Sequence, residues 1–176
     1  SLSAMAKVVY TIGNDISTDV IYPGRFMATV LPTETPAFAF ADDATFNGML
    51  KSKQVPAGSV LVAGDNFGCG SSREQAVSTL KGHELLIIAR SVARIFMQNS
   101  VNLGLNLVVA PGFEASPGDD VEVTGDGVVN TTTGKKFPIE KLPKARQAIV
   151  EAGGLIAYTR KRLMDQPSAP APAGRG

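Results

Sequence analysis

Two hydroxyls and a guanidinium follow a glycine-rich run in Gly64-Asp65-Asn66-Phe67-Gly68-Cys69-Gly70-Ser71-Ser72-Arg73-Glu74-Gln75-Ala76, at a point where a helix is predicted to begin. These residue types in this order suit the holding of anions. The glycines let the backbone turn tightly and approach a ligand closely. N–H groups left free at a helix start, with the positive end of the dipole, attract carboxylate or phosphate. Arg73 adds a planar fork for bidentate carboxylate binding, which a lysine does not reproduce.

The spacing excludes several other anion and nucleophile motifs. A P-loop needs Gly-Lys followed by Ser or Thr, whereas Gly70 is followed directly by Ser71. If Gly68 and Gly70 opened a dinucleotide fingerprint, Arg73 would fill the third position, where close helix packing demands Gly or Ala. A serine-hydrolase elbow starting at Gly70 would need a second glycine where Glu74 stands. The residues also have a plain structural reading. Ser71-x-x-Glu74 and Ser72-x-x-Gln75 are both capping boxes, and Arg73 could simply pair with Glu74 or another acid.

The elements around this run position it. Lys7 to Ile12 reads as a β-rich stretch ended by the Gly13-Asn14-Asp15 turn, and Asp15 to Arg25 reads as loop. Pro32 to Pro36 is a breaker region, and a short helix is expected within Ala37 to Leu50. Ser59 to Ala63 is a buried-strand pattern feeding the glycine run, Arg73 to Lys81 is the helix after it, and Gly82 is its expected stop. Glu84 to Ala89 gives the next strand. The glycine run therefore sits in a βαβ unit at the C-terminal end of its first strand, where ligands of open α/β sheets bind. Ser91 is placed to cap a second helix reaching about Asn99, and Leu105 to Val109 is a further strand. Val121-Glu122-Val123 and Val128-Val129-Asn130 flank the hairpin composition Thr124-Gly125-Asp126-Gly127. Lys144 to Ala152 reads as a helix stopped by Gly153-Gly154, and the Pro-, Ala- and Gly-rich stretch from Gln166 as a disordered tail over 166–176. Ser1-Leu2-Ser3-Ala4 before Met5 reads as a cloning remnant, leaving one domain over 5–165.

Composition bounds the partners. The 176 residues fit one domain with apolar content for a core. With 17 Lys and Arg against 16 Asp and Glu, the net charge of +1 implies no nucleic-acid or membrane partner. No apolar run has the length of a membrane span. One cysteine, Cys69, cannot form an internal disulfide, fits a reducing cytoplasm, and cannot supply a cluster or zinc site unaided. As a lone thiol it is expected to be small and buried rather than nucleophilic. The single histidine, His83, follows Gly82 at an expected helix end and reads as a surface or dipole residue. Arg94, beside Ile95 and Phe96, could pair with an acid or anchor the glycine loop and is left outside the site. Lys135-Lys136 and Arg160-Lys161-Arg162 read as solvated basic clusters.

Asn66-Phe67-Gly68-Cys69-Gly70-Ser71-Ser72-Arg73-Glu74-Gln75-Ala76 resembles the signature of the small subunit of isopropylmalate isomerase, in the aconitase superfamily. Two more stretches are similar to the same family in the same order. Asn14-Asp15-Ile16-Ser17-Thr18-Asp19-Val20-Ile21-Tyr22-Pro23-Gly24-Arg25-Phe26 resembles its Asp-Thr-Asp-x-Ile-x-Pro-x-Arg segment, and Ser91-Val92-Ala93-Arg94-Ile95-Phe96 its Ser-Phe-Ala-Arg-Ile-Phe segment. The resemblance runs from about Val8 to Val109 and more loosely to about Arg162. It implies an α/β fold, the three-layer β/β/α swivelling domain of aconitase type.

The resemblance also implies a division of labour. A large subunit carries a four-iron four-sulfur cluster, and this chain, binding no cofactor itself and inactive alone, closes over it as a heterodimer or heterotetramer. Matched position by position, Ser71 takes the role of catalytic base, Ser72, Arg73 and Arg25 bind the substrate, and Asp19 orients them. The implied reaction is reversible dehydration and rehydration of a small dicarboxylic hydroxy acid: isomerisation of 2- and 3-isopropylmalate in leucine biosynthesis, or a related reaction on dimethylmalate, citraconate or homoaconitate. A non-catalytic anion-binding module remains the alternative of another class. A serine hydroxyl is a very weak acid, so the base role demands donors and positive charge around its alkoxide. In this family the residues after Pro-x-Arg line the pocket for the variable substituent. Here the run is Phe26-Met27-Ala28-Thr29, with Ala28 where an Arg would serve an acidic arm, which implies an apolar one.

Overall fold

The computed structural model describes residues 4–165. The expected tail over 166–176, and residues 1–3 of the expected remnant, lie outside the described residues. One seven-stranded sheet is built from β1 (Ala4–Thr11), β2 (Val60–Ala63), β3 (Leu86–Ala89), β4 (Asn106–Val109), β5 (Asp120–Val123), β6 (Gly127–Asn130) and β7 (Lys135–Pro138), in the order β4-β3-β2-β1-β5-β6-β7. The helices are α1 (Thr18–Ile21), α2 (Ala44–Lys51), α3 (Glu74–Gly82), α4 (Arg94–Leu103), α5 (Lys144–Glu151) and α6 (Leu155–Asp165).

The sheet changes character at β1. Its first half, Ala4 to Lys7, pairs antiparallel with β5, and its second half, from Val8, pairs in parallel with β2, where the register breaks between Val8 and Tyr10. Such a break bends and twists a strand. The two sheet faces carry separate cores. Leu61, Ala63, Ile87 and Ala89 pack with Ala76, Val77, Leu80 and Phe96 of α3 and α4. Their sequence neighbours Val60, Val62 and Ile88 face the other way and pack with Val8, Phe113, Val121 and Val128. Both faces of β2 are therefore dry, which is why it reads as an unbroken apolar run. Helices cover one face, and the antiparallel half curls across the other.

Several local expectations are corrected. The first strand begins at Ala4 rather than Lys7. The stretch expected as loop over Asp15 to Arg25 contains α1, whose N-cap Ser17 accepts from the Val20 N–H at 3.2 Å, and a 3-10 turn at Gly24–Phe26. Gly82 does not stop α3; it is the last helical residue, and the chain reverses at Glu84 with φ 53°. Its missing Cβ instead makes room for the Pro36 ring. Ser91 does not cap α4, whose cap position is Ala93; its hydroxyl accepts the Asn66 N–H at 2.8 Å. The strand β7 and the helix α6 were not anticipated.

Candidate functional site

The loop between β2 and α3 is held from two sides. On one, the Gly13–Thr18 segment grips it: Asn14 Oδ1 accepts the Asp65 N–H at 2.7 Å, the Gly68 N–H donates to Ile16 O at 2.8 Å, and the Thr18 N–H donates to Cys69 O at 2.8 Å. On the other, the Phe67 N–H donates to Ser91 O at 3.0 Å and the Ala93 N–H to Phe67 O at 2.9 Å. Phe67 is fully buried edge-on to Phe96, with ring centroids 5.2 Å apart. The three stretches that carried the resemblance thus meet in one place, although more than sixty residues separate the first from the last in sequence. Asn14, Ser91 and Phe96 are the loop's supports. Sequence reasoning gave none of them that role, since an amide beyond a strand end and a serine before a helix read first as turn and cap.

At the end of the loop, α3 starts without a side-chain cap, its cap position being Arg73. The capping-box reading of Ser71 and Ser72 is therefore corrected: both serines are exposed and neither closes the helix start. In the first turn of α3 the Ala76 N–H donates to Arg73 O at 3.2 Å, and no side chain caps the remaining donors, which is the kind of helix start that suits an anion. Arg73 does pair with an acid, but with Asp19 rather than Glu74. Its Nη1 donates to Asp19 Oδ1 at 2.6 Å and to Tyr22 O at 3.0 Å, and its side chain is 18% exposed. Asp19 also accepts the Gly24 N–H at 2.8 Å.

The hydrogen bond from Arg73, then that from Gly24, holds the Asp19 carboxyl below the ordinary carboxylate range. A lowered folded value contributes stability that is present above the unfolded pKa and lost as pH falls through the folded one. Unfolding free energies of the unsubstituted chain and of Asp19→Asn are expected to differ by a constant amount above the ordinary carboxylate range, the gap closing as pH falls through and below that range. A gap independent of pH in denaturant titrations would show that the pair carries no such linkage.

Arg25 stands apart from Arg73. Its guanidinium makes a bidentate pair with Asp42, at 3.0 and 2.5 Å, with both partners more than half exposed, and it lies over the Phe26 ring at 4.6 Å. The Asp42 carboxylate raises the Arg25 pKa, and Arg25 in turn lowers that of Asp42. Asp42 escaped the sequence reading because nothing in its spacing ties it to Arg25. The specificity run divides. Phe26 stacks on Phe38 at 4.2 Å and belongs to the core edge, whereas Met27 and Ala28 are exposed. Tyr22 Oη donates to the carbonyls of Phe26 and Thr29, at 3.0 and 3.2 Å, fixing the turn that presents them.

Other residues singled out in the sequence fall as follows. Cys69 is half-buried, not buried, on the loop itself. His83 Nε2 is 2.7 Å from Pro36 O. Arg94 is exposed on α4; the loop is braced by its neighbour Phe96 instead. Lys135 pairs with Glu114 at 3.3 Å, and Arg162 lies over Tyr158 at 5.8 Å. Two concavities lie away from Ser71 and Arg73: one of about 240 Å³ bordered by Asn14, Gly64 and Arg90, the other of about 260 Å³ beside α6. Among the described residues no three His, Cys, Asp or Glu side chains gather to hold a metal, and no helix is long and apolar enough to cross a membrane.

Comparison with known proteins adds to this geometry. The model of the aconitase C-terminal domain matches residues 15–111. The 3-isopropylmalate dehydratase small subunit of Thermodesulfovibrio yellowstonii is 38% identical over 88% of this chain and 93% of its own length. The isopropylmalate/citramalate isomerase small subunit of Methanocaldococcus jannaschii is 40% identical over 89% and 94%. The 2,3-dimethylmalate dehydratase small subunit of Eubacterium barkeri is 41% identical over 85% and 93%. A crystal structure of 3-isopropylmalate dehydratase from Methanocaldococcus jannaschii superimposes with a TM-score of 0.82, at 37% identity, covering 93% of this chain and 96% of that one. The curled sheet with helices on one face is the three-layer β/β/α arrangement that the resemblance implied.

Proposed function

We infer the function from one premise: the chain belongs to the aconitase C-terminal domain family, as the small subunit of an aconitase-family hydro-lyase. With a large subunit it isomerises 2- and 3-isopropylmalate by reversible dehydration and rehydration, in the cytoplasm and on the route to leucine. The observation that carries this is Ser71 standing exposed beside Arg73 at the uncapped start of α3. A cluster does not fit this chain, which has a single cysteine and no grouped ligands among its described residues. On the large subunit, the four-iron four-sulfur cluster supplies a Lewis acid for the substrate hydroxyl.

Each residue of this chain then has a task. Arg73, held in place by Asp19 and Tyr22 O, grips a substrate carboxylate with its remaining guanidinium donors, helped by the α3 N–H groups and the Ser72 hydroxyl. Ser71 takes the proton from the carbon next to a carboxylate, its alkoxide stabilised by the same positive end. Arg25 exchanges Asp42 for a second carboxylate; a solvent-exposed pair of this kind is weak, so the exchange costs little. The surface around these groups is open and apolar, with Val20, Met27, Val30 and Leu31 between 38% and 62% exposed. The large subunit closes here, in a heterodimer or heterotetramer, excluding water from the reacting groups.

The apolar arm of the substrate lies by Ala28. An additional carboxylate would find no partner on that side chain, and a buried unpaired charge is costly. In the reconstituted two-subunit enzyme, competition among isopropylmalate, dimethylmalate and homocitrate is expected to give the highest kcat/KM for isopropylmalate and the lowest for homocitrate. Ala28→Arg is expected to move the preference toward the acidic arm. A homocitrate preference in the unsubstituted enzyme would refute the pocket argument. Preference for dimethylmalate is the second reading, favoured by the Eubacterium barkeri relative at 41% identity.

A further inference from the structure

We propose that Thr18 is a positioning residue for Ser71, acting through the Ser71 backbone; this deepens the reading of Ser71 as the base and rests on it. Thr18 opens α1 and is 2% exposed. Its Oγ1 donates to the Ser71 carbonyl at 2.9 Å, and its own N–H donates to the Cys69 carbonyl at 2.8 Å. One residue therefore holds the loop on both sides of Gly70, whose φ of 96° is a conformation that glycine adopts readily and other residues do not. The next residue, Asp19, holds the Arg73 guanidinium. Successive side chains of one short helix thus fix the backbone of the proposed base and the side chain of the proposed carboxylate clamp.

The Thr18 bond matters because the Ser71 side chain is exposed, so its direction depends on the peptide planes around it. The Ser71 carbonyl accepts two donors, Thr18 Oγ1 and the Arg73 N–H at 2.9 Å. Removing the hydroxyl leaves the carbonyl satisfied, so the fold loses little, but the plane between Ser71 and Ser72 loses its cross-brace. Displacement of a reacting group by about 1 Å is enough to cost up to ~100-fold in rate. β-Branching leaves Thr18 few rotamers, and the bond to Ser71 O selects the one observed.

The test is a cycle in the reconstituted two-subunit enzyme, comparing Thr18→Val, Thr18→Ser, Ser71→Ala and the double variant Thr18→Val/Ser71→Ala. Thr18→Val, close in shape but lacking the hydroxyl, is expected to lower kcat at least ~10-fold with KM within about twofold. Thr18→Ser is expected to recover most of the rate, and Thr18→Val is expected to add nothing when Ser71 is already Ala. Thr18→Ala takes the place of Val if Val fails to assemble with the large subunit. Normal kcat in Thr18→Val while Ser71→Ala is crippled overturns the proposal and spares the base assignment. No recovery in Thr18→Ser, or an undiminished effect on the Ser71→Ala background, overturns it too. Near-normal kcat in Ser71→Ala overturns the base assignment first, and the Thr18 proposal with it.

Discussion

Ser71→Ala in the reconstituted two-subunit enzyme is expected to lower kcat by at least ~100-fold with little change in KM, the pattern of an interaction made only in the transition state. Nothing about the fold stands in the way of reading that result. α3 starts without a side-chain cap, so the hydroxyl contributes no helix-start bond whose loss would unfold the loop. The backbone bonds that hold the loop, through Ile16, Thr18, Ser91 and Ala93, are all untouched by removing one oxygen from an exposed side chain. Ser72→Ala is expected to raise KM more than it lowers kcat, because the proposed assignment gives the proton transfer to Ser71 and only binding to Ser72. A Ser71→Ala enzyme with near-normal kcat and a lower melting temperature would return both serines to a structural role.

The candidate site could be picked out in the sequence because its residues are concentrated in short stretches, while its internal pairing could not. Gly68, Gly70, Ser71 and Arg73 suit an anion-holding helix start by type and order, beside a capping-box reading that the structure removes. That Arg73 reaches back to Asp19 rather than sideways to Glu74 depends on α1 docking against the loop, a tertiary event fifty-four residues away in sequence. Arg25 is the reverse case. Its position in the motif marked it as a carboxylate binder, and the structure finds it holding a carboxylate of its own chain, Asp42. In the fold, β2 and β3 were plain because their both-sided burial leaves unbroken apolar runs. β7 was hidden because an edge strand carries the lysines and proline that guard against further pairing, here Lys135, Lys136 and Pro138, and those residues read as loop. α6 was hidden for a different reason: it presents Ile156, Leu163 and Met164 to the outside, so no buried stripe marks its inner face.

Gly68→Ala is expected to destabilise the chain by about 2–5 kcal/mol. Two costs coincide there. Gly68 has φ 78°, which an L side chain adopts at a cost of about 1–2 kcal/mol. A Cβ at that position would also overlap the Phe96 ring, which is itself buried and wedged edge-on against Phe67. A close-packed core resists such insertion by a further ~1–3 kcal/mol. Gly70→Ala separates the two contributions. Its φ of 96° carries backbone strain of the same kind, but its Cβ would meet only Thr18 Oγ1 at 3.5 Å and Ser17 Cβ at 3.7 Å, ordinary contact distances. Gly70→Ala is therefore expected to cost only the strain, and the difference between the two variants in denaturant unfolding measures the packing of the loop on α4. Equal losses would mean that Phe96 yields freely and does not brace the loop. A much larger loss for Gly68→Ala would make the ring the rear wall that keeps Ser71 and Arg73 in place when the large subunit closes over them.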